Sequence, residues 1–161
     1  MSGWFSRTSK TLPDCTGPFS VGCADIMFAQ SESLKFGSFI RLFYPTSPKS
    51  SDSASNPKQA LWCPRKEYSN GLASFINMSS WLFGKLIHWT VGNVVIPAIP
   101  NAPLISGQDD SQGMPCIVFS HGLGGNRFMY STYCCELASH GCLVAMVEHR
   151  YSRYNLDFNL D

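Results

Sequence analysis

The residues best placed to do chemistry form one run, Ser120-His121-Gly122-Leu123-Gly124-Gly125. Three glycines within four positions let backbone N–H groups turn toward an anion, and two anions compete for such a loop: a phosphate, or the oxyanion of an acyl-transfer intermediate. The phosphate reading fits poorly. A dinucleotide fingerprint needs a third glycine where Arg127 stands, and a G-x-x-x-x-G-K-[ST] run is absent from the chain. In the acyl-transfer reading, an N–H following a His-Gly pair, here that of Leu123, helps form an oxyanion hole, with His121, Gly122 and Gly124 supporting it. A third reading needs no ligand: the glycines only make a tight turn between a strand and a helix.

No serine of the chain sits in a G-x-S-x-G elbow, so a nucleophile is not evident. Ser120 lies nearest the loop, yet Val118 stands where an elbow needs a small residue, and Ser120 is set aside. The four histidines, His88, His121, His140 and His149, are read as structural hydrogen-bonding groups, so no catalytic residue is assigned. Seven cysteines, at 15, 23, 63, 116, 134, 135 and 142, form no C-x-x-C pair. Neither a zinc site nor a disulfide framework is indicated, and free thiols suit a reducing compartment. Cys134 and Cys135 are neighbours on one helical turn and point to different faces, which suits packing better than redox chemistry.

The loop has to be held by what flanks it. Met114–Phe119 is a nearly continuous apolar run, the pattern of a strand buried on both faces of a parallel sheet. Asn126 is placed to cap a helix from about Arg127 to Ser139, Gly141 suits the left-handed position after its end, and Cys142–Val147 reads as a second buried strand. Strand, loop, helix and strand make one βαβ unit with the loop at the carboxyl edge of the sheet. Upstream, residues 17–29 and 37–45 are β-type runs separated by a polar segment, an antiparallel N-terminal hairpin. Residues 46–59, rich in serine and proline, read as a surface loop. Apolar positions from Leu72 to about Val91 recur at helical spacing, as one helix or two short ones, despite Gly84. The proline-punctuated stretch 96–113 reads as a returning loop.

The whole chain, 161 residues with 44% hydrophobic and 14% charged, suits one globular domain. Its formal net charge of +1 argues against a dedicated nucleic-acid binder. The N-terminus has no apolar segment of signal-peptide length, and Ser2 stands where myristoylation needs glycine, so the expectation is a leaderless cytoplasmic, not secreted, protein. No run of about 20 apolar residues spans a membrane. Trp81, Leu82, Phe83, Leu86, Ile87 and Trp89 nevertheless crowd a wide apolar arc into nine positions, with Trp at both ends, which suits a helix lying in a membrane interface.

The string Cys116 to Arg150, CIVFSHGLGGNRFMYSTYCCELASHGCLVAMVEHR, resembles the corresponding block of the platelet-activating factor acetylhydrolases, especially the intracellular type. GPFSVGCADIMF, SFIRLFYP and the Trp-x-Pro-x-x-Glu-Tyr segment in LWCPRKEYSNGLASF are also similar to that family, so the likeness covers about residues 16–150. It implies an α/β-hydrolase fold and serine-dependent, calcium-independent hydrolysis of short or oxidised sn-2 acyl chains of phospholipids, with no cofactor. It also implies that the 81–89 segment meets a lipid surface, giving a peripherally membrane-associated protein.

In that family the nucleophile, acid and base follow later in the chain, whereas here YSRYNLDFNLD after Arg150 matches nothing in it. The expectation is therefore an incomplete α/β sheet, the N-terminal hairpin plus one βαβ unit, framed by a tail at 1–16 and a divergent tail at 151–161. Such a truncated chain is inactive alone or acts as a lipid-surface-binding or interfering module. Because the third strand of these folds lies between the fourth and fifth, Met114–Phe119 is expected at an unpaired edge, and self-association or a chaperone follows as the partner.

Overall fold

The computed structural model describes residues 10–29, 37–48, 58–75, 79–105, 113–122 and 125–149. In chain order these form strands β1 (Lys10–Thr11), β2 (Phe19–Phe28) and β3 (Ser38–Pro48), then helices α1 (Lys66–Phe75) and α2 (Ser80–Val91). Strands β4 (Val94–Val95), β5 (Ala98–Pro100) and β6 (Cys116–Ser120) follow, then helix α3 (Ser131–Ser139) and strand β7 (Leu143–Glu148).

The main sheet has the order β5-β2-β3-β7-β6. The expected hairpin is β2 against β3, antiparallel, with Cys23 opposite Phe43 and Asp25 opposite Arg41. The expected βαβ unit is β6-α3-β7, whose strands pair in parallel with Ile117 beside Val144 and Ser120 beside Val147. Strand β3 joins the two units by pairing antiparallel with β7. Strand alternation puts Val21, Cys23, Phe43, Val144 and Met146 on one face, where they are buried with Cys134, Cys135 and Ala138 of α3. Ile117 and Phe119 of β6 pack against the same core.

Several boundaries differ from expectation. Strand β6 lies at the sheet edge among the described residues, as expected, but it is not buried on both faces: Cys116, Val118 and Ser120 alternate outward on the face away from α3. Helix α3 begins at Ser131 rather than near Arg127. Arg127 and Phe128 are drawn into the interior, Phe128 edge-on between Trp62 and Tyr68 at 5.4 and 4.6 Å, which fixes a turn where the helix was expected. Asn126 Oδ1 accepts the Phe128 N–H at 3.2 Å and caps that turn instead of the helix. Gly141, at φ +100°, holds the expected left-handed position.

The proline-rich stretch contains β5, a three-residue edge strand parallel to β2, consistent with proline's tolerance at sheet edges. Strand β3 continues through Thr46 to Pro48, so the serine-rich loop begins later than residue 46, and residues 49–57 lie outside the described set. The segment expected as an N-terminal tail is tied down from residue 10, where β1 pairs in parallel with β4.

The helical region divides into two helices, with α1 starting at Lys66. Helix α2 packs against α1. Gly84 is the reason it approaches so closely: a Cβ there would fall 2.1 Å from Asn70 Oδ1 and 3.1 Å from Asn70 Cα. The glycine that weakens the helix in isolation permits the helix pair. No helix among the described residues is long and apolar enough to cross a membrane.

Candidate active site

The turn after β6 stands at the carboxyl ends of the parallel strands β6 and β7, as a βαβ unit requires. Leu123 and Gly124 lie outside the described residues, so the assigned oxyanion donor is bracketed by its neighbours: His121 half-buried, Gly122 exposed and Gly125 half-buried. Those neighbours are linked by hydrogen bonds. Gly125 N–H donates to the Gly122 carbonyl at 3.0 Å, closing the turn. The His149 N–H donates to His121 Nε2 at 3.5 Å, which leaves the proton on His121 Nδ1 to bond the Gly122 carbonyl at 3.0 Å. The two rings meet edge-on with centroids 4.6 Å apart.

Ser120 Oγ lies 2.7 Å from His149 Nε2, a pairing not foreseen from the sequence. Each is exposed, and both project from the sheet face away from α3. The signal was in the register: Ser120 sits beside Val147, and His149 follows two residues later with its side chain on the same face. The set-aside serine thus has a histidine at hydrogen-bond distance. No carboxylate among the described residues orients that histidine as a triad would.

Behind the turn lies a second feature absent from the sequence reading, an ionic cluster buried except at Asp25. Arg41 bonds Asp25 through two N–H groups, at 2.8 and 2.9 Å. Arg127 reaches the same carboxylate at 3.4 Å through Nε and Nη2, while its backbone N–H and Nη1 bond Glu148 Oε2 at 3.1 and 3.3 Å. Phe39 covers the Arg127 guanidinium at 3.9 Å. Arg41, Arg127 and Glu148 are buried.

Burial by itself would raise the Asp25 carboxyl, but the Arg41 hydrogen bonds and charge, with Arg127 behind them, hold it below its usual range. For Arg41 the Asp25 contact outweighs burial and raises the guanidinium; for Arg127 burial wins and lowers it. The shorter distances agree that Asp25 is committed chiefly to Arg41. Glu148 fixes Arg127 through both backbone and side chain, and Arg127 is the second residue after Gly125. The cluster therefore anchors the trailing end of the glycine turn to strands β2, β3 and β7.

Helix α2 carries the assigned interfacial residues. Trp81, Leu82, Leu86 and Trp89 are exposed, Trp81 to 71% and Trp89 to 66%. Lys85 lies over the Trp81 ring at 4.5 Å. Phe83 and Ile87 are half-buried, so the open apolar face is carried by four of the six.

Comparison with known proteins matches residues 4–155 to the family described as platelet-activating factor acetylhydrolase, isoform II. The platelet-activating factor acetylhydrolase of Cavia porcellus is 44% identical over 140 residues, covering 87% of this chain and 29% of that protein. The Gallus gallus protein of the same name is 42% identical over 86% of this chain and 30% of its own length. A putative phospholipase A2 of Schizosaccharomyces pombe is 26% identical over 89% of the chain and 33% of its own length. Among solved structures, a ferulic acid esterase from Streptomyces cinnamoneus superposes with a TM-score of 0.54 at 18% identity, over 88% of this chain and 37% of the esterase. That likeness concerns the fold, a mixed sheet of the α/β-hydrolase type with helices packed on it. The chain spans about 30% of the length of the curated relatives it matches. With its glycine turn, hairpin and βαβ unit all inside the matched span, this chain belongs to the isoform II family of platelet-activating factor acetylhydrolases.

Proposed function

We propose that this chain supplies the oxyanion side of a phospholipid esterase that hydrolyses short or oxidised sn-2 acyl chains. In that reaction a serine attacks the ester carbonyl, and the Leu123 N–H bonds the oxygen that becomes negative in the tetrahedral intermediate. The observation that carries the reading is the hydrogen bond between Gly122 and Gly125 at the carboxyl ends of β6 and β7, on either side of Leu123 in sequence, in a chain of this family. The donor acts through its backbone, so the Leu123 side chain is free to vary. No metal or organic cofactor is needed for this step. The exposed face of α2 supports a peripheral seat on a lipid surface, and the free thiols support a cytoplasmic setting.

The 161 residues contain no nucleophile elbow, so the chain by itself is proposed to be inactive toward acetyl-phospholipid. Grafting residues 16–149 into the Cavia porcellus relative, in place of its matching segment, should give an active hybrid. Leu123→Ala in the hybrid should keep kcat, and Leu123→Pro, which removes the N–H, should lower it by about 10²–10³-fold. Full kcat in a folded Leu123→Pro hybrid would refute the oxyanion role. Turnover by the 161-residue chain that disappears on Ser120→Ala would instead make the Ser120–His149 pair the working site.

A second reading, a non-catalytic module that occupies lipid surfaces, is favoured by one observation: Trp81, Leu82, Leu86 and Trp89 are exposed on one helix whose packing partner is α1. The same chain also presents the β6 edge and an open sheet face, which support self-association or chaperone capture.

A further inference from the structure

We propose that Cys15 and Cys135 form a dithiol site that peroxide closes to a disulfide, covalently pinning the N-terminal segment onto α3. The segment is already laid along that helix. Thr16 N–H donates to Glu136 Oε2 at 2.9 Å, the Thr16 hydroxyl bonds the other Glu136 oxygen, and Gly17 N–H donates to Ser139 Oγ at 3.1 Å. The approach at Gly17 is as close as a backbone allows, since a Cβ there would lie 2.2 Å from the Ser139 carbonyl oxygen. Cys15 packs on the cluster that contains Cys135, and the two thiols are hydrogen-bonded to each other.

The pair is asymmetric. Cys135 is fully buried and Cys15 half-buried. The hydrogen bond to Cys15, reinforced by burial, pushes the Cys135 thiol far up, so Cys135 keeps its proton and donates it toward the Cys15 sulfur. Cys15, the half-buried member, is therefore the sulfur that a reagent meets. Cys23 and Cys134 are buried in the same core, and burial pushes their thiols up to about 11 and about 12. The adjacent Cys134–Cys135 pair, read from the sequence as packing, stays so; the partner for Cys135 comes from across the fold.

The chemistry balances with hydrogen peroxide alone. The Cys15 sulfur attacks one peroxide oxygen, the O–O bond breaks, and the departing hydroxide takes the Cys15 proton and leaves as water, so that Cys15 becomes a sulfenic acid. The Cys135 sulfur then attacks the Cys15 sulfur, the S–O bond breaks as the S–S bond forms, and the leaving hydroxide takes the Cys135 proton as a second water. Two thiols lose two electrons, and one peroxide becomes two waters.

The test is to treat the reduced 161-residue chain with equimolar hydrogen peroxide, quench with iodoacetamide and map peptides without reduction. A Cys15–Cys135 cross-linked peptide is expected, lighter by two hydrogens than the separate pair and reversed by dithiothreitol, with the alkylable thiols falling from seven by two. Cys15→Ser should abolish the cross-link, and Cys116→Ser, at an exposed thiol on another strand, should leave it intact. Cys15 found as sulfinic acid beside an alkylated Cys135 would overturn the proposal, as would Cys135 bridged to any other cysteine or Cys15 bridged between molecules.

Discussion

Arg127 occupies the position where a dinucleotide-binding loop would place glycine, and its burial accounts for the departure. Its guanidinium is held between Asp25 and Glu148 under the Phe39 ring, and its own N–H is spent on Glu148. Removing Arg127 leaves the buried Glu148 charged without its partner, at a cost of up to about 3–5 kcal/mol, while Asp25, 34% exposed, keeps Arg41. Arg127→Met is therefore expected to lower the urea midpoint severely, whereas Lys66→Met, exposed on α1, should change it little. The cluster also sets an acid limit. Asp25 ionises more readily in the folded chain than in the unfolded one, so its contribution is fully present above the usual carboxylate range of about 3.9 and is lost as pH falls through its lower folded value. Glu136, held near 2 by the Thr16 hydroxyl and N–H, acts with the same sign. Stability measured by urea titration should fall steadily from about pH 4.5 toward pH 2. Asp25→Asn should be weaker at neutral pH and flatter across that window; an equally steep Asp25→Asn profile would remove Asp25 from the account.

Helix α2 divides its apolar residues between two duties. The face with Trp81, Leu82, Leu86 and Trp89 is open, while Gly84 meets α1 and Phe83 and Ile87 are half-buried. Serine at Trp81, Leu82 and Trp89 together should release the chain from sedimenting zwitterionic vesicles and shift its stability little, since exposed substitutions usually lie within about 0.5 kcal/mol. Phe83→Ser should do the reverse, weakening the fold while vesicle binding persists in what remains folded. Unchanged co-sedimentation of a folded triple variant would end the interfacial reading.

What was legible in the sequence follows from the same division into local and distant causes. The hairpin and the βαβ unit could be read because their signals are local: period-two runs, a glycine-rich break and helical spacing. Strand β5 could not, because three residues beside two prolines carry no period, and only pairing with β2 defines them. The start of α3 moved because Arg127 and Phe128 answer to residues more than fifty positions away. The Asp25–Arg41–Arg127–Glu148 cluster and the Ser120–His149 pair join separate strands and loops, so no window of sequence displays them.

At the scale of the whole chain the sheet has two unlike faces. One is covered by α3 and the Trp62–Tyr68–Phe128 aromatics; the other presents Ile26, Phe28 and Val118, with Val118 exposed to 70%. Strand β7, apolar at five successive positions, has the composition of a strand buried on both sides. Its outward residues Leu143, Ala145 and Val147 are nonetheless only half-buried. Beside it the edge strand β6 has no second strand partner among the described residues next to Val118, and it lacks the lysine or central proline that blunts natural edges. An apolar face continuous with an unprotected edge favours pairing with a second copy, because association buries both at once. The chain is therefore expected to elute from a sizing column as oligomers that bind a hydrophobic dye. Val118→Lys, which places a charge in the middle of the edge on the open face, should move it toward monomer without loss of helix content. A wild-type chain that runs as a monodisperse monomer and melts in one sharp cooperative transition would mean that this face is satisfied within the molecule, and the self-association reading would fall.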